Sequence, residues 1–284
     1  MYEKILVPLD GSKLAEVALT SAEELAIRLG SQIILIAVTE SAEAQDYHKH
    51  QIYIEKAVEE TRERMEPYLG SPKEKALRVK PVILVGHPAE ETIRYANRES
   101  TSLVVMATHG SSGIRRWAMG RMADKVLRAI ERPVVLVRAK TARTGASKKG
   151  ILNKAIVALD GSEEGEAVIP YITELAARLQ TEVTLLQVVA KHYRVYADAE
   201  AYLEHISGLF KERGITTQSE VRMGAAAEEI IKLADETKAD IVAMSTHGQS
   251  GISRWSIGSV ADRVLHGGNT PVLLVRTPGA STGD

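Results

Sequence analysis

Two stretches of this chain are versions of one another. Residues 106–121 read MATHGSSGIRRWAMGR and residues 244–259 read MSTHGQSGISRWSIGS, 138 positions further on. Nearer the start of each half stands Leu-Asp-Gly-Ser, at residues 9–12 and again at 159–162, an offset of 150. A sequence that repeats itself must fold twice into one kind of unit, and 284 residues suit two domains of about 100–150 residues each. The offset is still 150 where Val38 aligns with Val188. It is 138 where Gly86 meets Gly224, Gly110 meets Gly248 and Pro133 meets Pro271. The first half therefore carries 12 extra residues (150 − 138) between Val38 and Gly86, which the polar composition assigns to residues 40–68, a loop leading into a charged helix.

Hydrophobic patterning predicts the same order of elements in both halves. Short β-branched apolar runs at 3–8, 33–38, 79–85, 103–107 and 133–137 read as strands, and so do 154–158, 183–189, 215–223, 241–245 and 271–275. Between them lie helical patterns. One follows each Asp-Gly-Ser, and others cover 89–99 and about 119–130, matched by 225–237 and about 256–266. Residues 140–152 lack apolar periodicity and read as a linker between domains at 1–139 and 153–284, and the tail from Thr277 reads as frayed. Strands alternating with helices imply an α/β fold: two tandem doubly wound domains, each a five-stranded parallel sheet of order 3-2-1-4-5 with helices on both faces. In such a sheet a ligand sits beyond the carboxyl ends of strands one and four, where the order reverses. Asp10 and the Gly110 loop would then face one crevice, and Asp160 and the Gly248 loop another.

The glycine-rich stretches suit an anion. Nine residues separate Gly110 from Gly120 and Gly248 from Gly258, and a helix follows. Glycines let backbone N–H groups converge on one point, and the helix start adds positive potential. The copies differ after the second glycine, where Ser259 in one corresponds to Arg121 in the other.

Taken together, the P-L-D-G-S opening, the strand-ending T-H-G, the G-x9-G loop and the closing P-V-x-L-V-R strand resemble the universal stress protein family in its tandem two-domain form. Many members of that family bind ATP through a signature written G-x2-G-x9-G-[ST]. The resemblance assigns Ser245, Gly248, Gly258 and Ser259 to it in the second half, and Ala107, Gly110, Gly120 and Arg121 in the first. It further assigns Asp10 and Asp160 to the adenosine and Val38 and Val188 to the adenine, with Mg²⁺ or Mn²⁺ as company for the triphosphate. Physically, an aspartate can accept from both ribose hydroxyls, a valine walls off a purine, and loop amides with the Ser259 hydroxyl hold phosphates. Arg121 replaces a short hydroxyl by a long cation, so the second-half site is expected to be the stronger.

Other readings of the same residues stand beside these. Asp10 and Asp160 also suit turns and helix caps. His109 and His247 have no nucleophile or carboxylate at fixed spacing and read as packing or hydrogen-bonding residues. His48 and His50 read as a solvated loop rather than a metal pair, Arg115, Arg116 and Arg254 as either solvated or phosphate-neutralising, and Trp117 and Trp255 as core or interface anchors. The Walker, dinucleotide, nucleophile-elbow and zincin motifs are absent, so an efficient enzyme is not expected and slow ATP hydrolysis is the most that is. With 36 Lys+Arg against 37 Asp+Glu there is no field to draw in nucleic acid or an anionic membrane. Zero cysteines exclude disulfides, and the lack of a signal peptide or an apolar span leads to the expectation of a soluble cytoplasmic protein. The function expected is binding of ATP or a related adenine nucleotide for stress response or signalling. The rival is a nucleotide-independent dimerising scaffold. The apolar closing strands suggest intramolecular pairing of the halves, and leave a homodimer open.

Overall fold

A computed structural model describes residues 1–41, 43–69, 78–99, 101–108, 119–138, 152–189, 193–248 and 257–277. Contacts divide the chain into two compact units, Met1–Lys148 and Lys149–Asp284.

In the first unit the strands are β1 (Lys4–Leu9), β2 (Gln32–Thr39), β3 (Val79–Val85), β4 (Leu103–Ala107) and β5 (Val134–Val137). All pair in parallel in the order β3-β2-β1-β4-β5, with Leu6 opposite Ile34 and Ile5 opposite Leu103. The second unit repeats this with β6 (Lys154–Leu159), β7 (Glu182–Val189), β8 (Thr217–Met223), β9 (Ile241–Ser245) and β10 (Val272–Val275), in the order β8-β7-β6-β9-β10. The doubly wound order read from the repeat is thus the order found. The repeat extends to register: Leu6 opposes Ile34, and 150 residues on Ile156 opposes Thr184. β1 and β4 are buried almost end to end because helices cover both faces. The outer strands β3 and β8 are half open and carry Lys80, Pro81, Glu220 and Arg222, charges and a missing N–H that discourage another chain from adding to the edge.

The helices of the first unit are α1 (Lys13–Leu29), α2 (Ala44–Met65), α3 (Pro88–Arg98) and α4 (Arg121–Ala129). Ser12 caps α1 by accepting from the Ala15 N–H at 3.1 Å, and Gly30 ends it in the left-handed conformation at φ 71°. In the second unit the corresponding stretch is not the single helix expected. It breaks into α5 (Glu163–Glu166) and α6 (Ile169–Leu179). Pro170 is the cause: it lacks an N–H, and its ring would strike the Glu166 carbonyl in a continuous helix. The unit continues with α7 (Tyr193–Lys211), α8 (Ala226–Thr237) and α9 (Ser259–Gly267).

The placement of the 12 extra residues also needs correcting. α2 is the counterpart of α7, and its 22 residues exceed α7's 19 by only three. Thirteen residues join α2 to β3, whereas five join α7 to β8, so most of the addition lies at 66–78 rather than at 40–68. Polarity misled because a helix lying on one face of a sheet needs few apolar residues; Ile54, Ala57, Val58, Thr61 and Met65 are the buried ones.

α2 is tied to α1 by Arg64, which donates to Glu23 from Nε at 3.0 Å and from a terminal nitrogen at 2.7 Å. Burial pushes the Glu23 carboxyl up, and the Arg64 guanidinium opposes the shift. A group whose folded pKa is raised holds its proton more tightly when folded, so its cost to stability is greatest at high pH and is relieved as pH falls through that pKa. Arg64→Ala should therefore cost about 1–2 kcal/mol at pH 7.5, less than for a fully enclosed pair because Arg64 is half open to water. The deficit should shrink at pH 5. Urea unfolding at the two pH values checks this, and an equal deficit at both would refute it.

Candidate functional site

The second unit contains a cavity of ≈ 220 Å³ at the carboxyl ends of its central strands. Leu186 and Val188, alternate residues of β7, form an apolar wall with Ala226 and Ile230 from α8. Asp160, the residue after β6, stands at one side. Ser245, Thr246, His247 and Gly248, where β9 runs out, complete the lining with Gly258 and Ser259, where α9 begins. Segments nearly 100 residues apart in sequence meet here because β6 and β9 are neighbours, with Val157 opposite Ala243. The size lies below the ~300–1,000 Å³ usual for small-molecule pockets. Residues 249–256, between Gly248 and α9, are outside the described residues, and Arg254 and Trp255 are among them.

Asp160 is held in a defined pose. Its Oδ1 accepts from the Ser162 N–H at 3.1 Å and from the Ser162 hydroxyl at 2.6 Å, while that hydroxyl accepts from the Gly165 N–H at 3.0 Å. The turn role foreseen for this aspartate is therefore present, while the helix cap is Ser162, and the turn coexists with a place in the cavity. The carboxylate is also gripped sterically: a Cβ added to Gly165 or Gly248 would overlap it. Only glycine permits this approach.

The loop is pinned at its base. The Gly258 N–H donates to the Thr246 carbonyl at 2.8 Å, and a Cβ on Gly258 would come within 2.9 Å of that oxygen. Gly258 is the residue before α9, and the N–H groups of the first turn that follow have no partner within the helix, so positive potential collects at this wall. Ser245 and His247 turn to the protein. Ser245 Oγ donates to the Gly165 carbonyl at 2.9 Å, and His247 Nδ1 lies 3.0 Å from Thr246 Oγ1. Neither bond points to catalysis.

The first unit reproduces part of this. Asp10 Oδ1 accepts from the Ser12 N–H at 3.0 Å and hydroxyl at 2.6 Å, and the Gly120 N–H donates to the Thr108 carbonyl at 2.8 Å. Val38 lies on β2, Ala107 ends β4, and Arg121 opens α4 where Ser259 opens α9. Two differences are visible: Asp10 is exposed where Asp160 is half-buried, and Arg121 places a cation at the positive end of a helix. Gly110, with His109, Arg115, Arg116 and Trp117, lies outside the described residues, so the facing of Asp10 and the Gly110 loop is not described. Each aspartate also has a tyrosine near it. The Tyr53 hydroxyl of α2 donates to Glu16 at 3.3 Å, and Tyr202 of α7 lies near Glu166. Burial, then the charges of Glu16 and Asp10 or of Glu166 and Asp160, raise both phenols above their ordinary value.

Sequence reasoning missed Gly165 and the wall formed by Leu186, Ala226 and Ile230. A glycine interrupting a helical pattern was the available signal for the first, and period-two alternation from Val188 for Leu186. Nothing local marks Ala226 or Ile230.

Comparison with known proteins decides the family. The model of the universal stress protein family matches residues 1–138 and again 152–276. The chain belongs to the universal stress protein family. It is a tandem of two such domains, and curated relatives match about half of it. It is 30% identical over 145 residues to universal stress protein MJ0531 of Methanocaldococcus jannaschii, covering 46% of this chain and 85% of that one. It is 26% identical over 157 residues to universal stress protein MJ0577 of the same organism, covering 49% and 97%. The crystal structure of a universal stress protein from Archaeoglobus fulgidus is similar in fold over both halves, with a TM-score of 0.73 at 18% identity, covering 98% of this chain and 100% of that one. Among the described residues no helix is long and apolar enough to cross a membrane, and no cluster of His and carboxylates could hold a metal ion.

Proposed function

We propose that the second domain of this universal stress protein binds ATP or a related adenine nucleotide, and that binding serves stress response or signalling by stabilising the fold or changing its affinity for partners. The observation that carries this reading is the convergence of Asp160, Val188, Gly248, Gly258 and Ser259 on one cavity. The adenine packs against Val188 and Leu186. The ribose hydroxyls donate to Asp160, a charged acceptor and hence a strong one. The phosphates meet the Gly248 loop, the Ser259 hydroxyl and the start of α9. A divalent cation arrives with the triphosphate and is held mainly by phosphate oxygens and water, since the described residues supply no ligand cluster.

Isothermal titration of the whole chain with ATP tests this. Binding at one strong site that weakens at least about tenfold in Asp160→Ala, the loss of one charge-assisted bond, is the expected result. No heat and no thermal shift with ATP would refute the reading. The first domain is the weaker site, because Arg121 takes the place of the phosphate-facing hydroxyl. Arg121→Ser should raise the stoichiometry towards two, and an unchanged value would remove Arg121 as the cause.

A further inference from the structure

The two domains differ at a pair of positions that touch each other beside the cavity. Gly165 stands where the first domain has Ala15, and Ser245 stands where it has Ala107. In the second domain the two are joined, since the buried Ser245 hydroxyl donates to the Gly165 carbonyl at 2.9 Å across 80 residues of sequence. An alanine at position 107 cannot make such a bond. The carbonyl concerned belongs to α5, a four-residue helix, and the last carbonyls of a helix find no donor within it. Ser245, at the end of β9, supplies one and fastens the broken helix to the central strand.

The same glycine makes room for Asp160. A Cβ at Gly165 would overlap Asp160 Oδ1 and lie 3.3 Å from its Cγ, while Gly248 presses on Oδ2 from the other side. With Ser162 holding Oδ1, the carboxylate is fixed between two glycines and a turn that leads into the helix fastened by Ser245. Ala15 carries the Cβ that Gly165 lacks, and Asp10 is exposed.

We propose that Gly165 and Ser245 form a brace that positions the Asp160 carboxylate for a vicinal diol, making the second-domain crevice selective for ribonucleotides over 2′-deoxyribonucleotides. The inference rests on the nucleotide reading above and adds positioning residues to it. Ser245 acts through Asp160 and not as a ligand, because its hydroxyl proton is committed to Gly165. The absence of both residues in the first domain is a second reason, beside Arg121, for the weakness of that site.

The test is competition between ATP and 2′-deoxyATP for the intact chain, in the wild type and in Ser245→Ala, Gly165→Ala and Ser245→Thr. A charge-assisted bond to the 2′-hydroxyl predicts a wild-type preference for ATP of about tenfold or more. Ser245→Ala and Gly165→Ala should narrow that ratio to about threefold or less, and Ser245→Thr, which keeps the hydroxyl, should retain it. A merely structural role would weaken both nucleotides equally, so an unchanged ratio in Ser245→Ala and Gly165→Ala overturns the brace while leaving nucleotide binding intact. A wild-type ratio near one overturns it as well. If neither nucleotide binds the wild type, the nucleotide reading has failed and this inference with it. If Ser245→Ala does not fold, the Gly165→Ala ratio decides alone.

Discussion

Replacing Gly248 by alanine should lower ATP affinity by about 100-fold, equivalent to about 2.7 kcal/mol, while the second domain stays folded. The new Cβ would occupy the space of the Asp160 carboxylate. Asp160 must then swing away, giving up the Ser162 hydrogen bonds at 3.1 and 2.6 Å and its pose towards the ribose. Gly248 does not have the positive φ of Gly11 or Gly161, so alanine fits the backbone there and the damage is confined to the contact. Titration calorimetry with ATP, with circular dichroism to verify folding, measures the effect. An affinity within about threefold of the wild type would mean that Asp160 has no part in binding. Gly258→Ala is a useful contrast, because its Cβ would meet the Thr246 backbone carbonyl at 2.9 Å, which cannot rotate aside. That variant should lose stability as well as affinity.

The largest stability effect is expected at Phe210. It ends a buried stripe of α7 made with Ala199, Leu203 and Ile206, each no more than 3% exposed, where the helix packs on β7 and β8. Phe210→Ala removes a ring from a close-packed site and should cost about 3–5 kcal/mol, the transfer free energy plus the cavity left behind. Denaturant unfolding of the whole chain, followed in the second-domain transition, checks it. ATP at about 100 times its dissociation constant should restore about 2.7 kcal/mol of the loss, because the ligand binds only the folded domain. A cost below about 1 kcal/mol would show that α7 contributes little to the core.

Much of this protein was legible in its sequence, for identifiable reasons. Strands two, three and four were found within a residue of their predicted ends in the first domain because β-branched runs between polar turns have no competing reading. The strand order followed from the repeat and from the rule that places glycine loops beyond strands one and four. Asp160, Val188, Gly248, Gly258 and Ser259 were expected from the family resemblance, and the fold brings them to the lining of one cavity. The helix that broke at Pro170 was misjudged because apolar spacing through Val168 and Ile172 outweighed one proline. The extra residues were misplaced because the polarity along α2 marked it as the insertion, when five buried side chains suffice to dock the helix that both halves share.

By itself, then, the sequence determined the repeat, the α/β class, the strand order and the loops that carry the candidate site, since periodicity, turn residues and internal symmetry are local or self-referential properties. Only the tertiary structure decided how unequal the two copies are. How closely Asp160 is gripped depends on atoms far apart in the chain, among them Gly165, Gly248 and Ser245. No local pattern encodes a contact across 80 residues, because the energy of that contact depends on strands that must pair before the residues can meet.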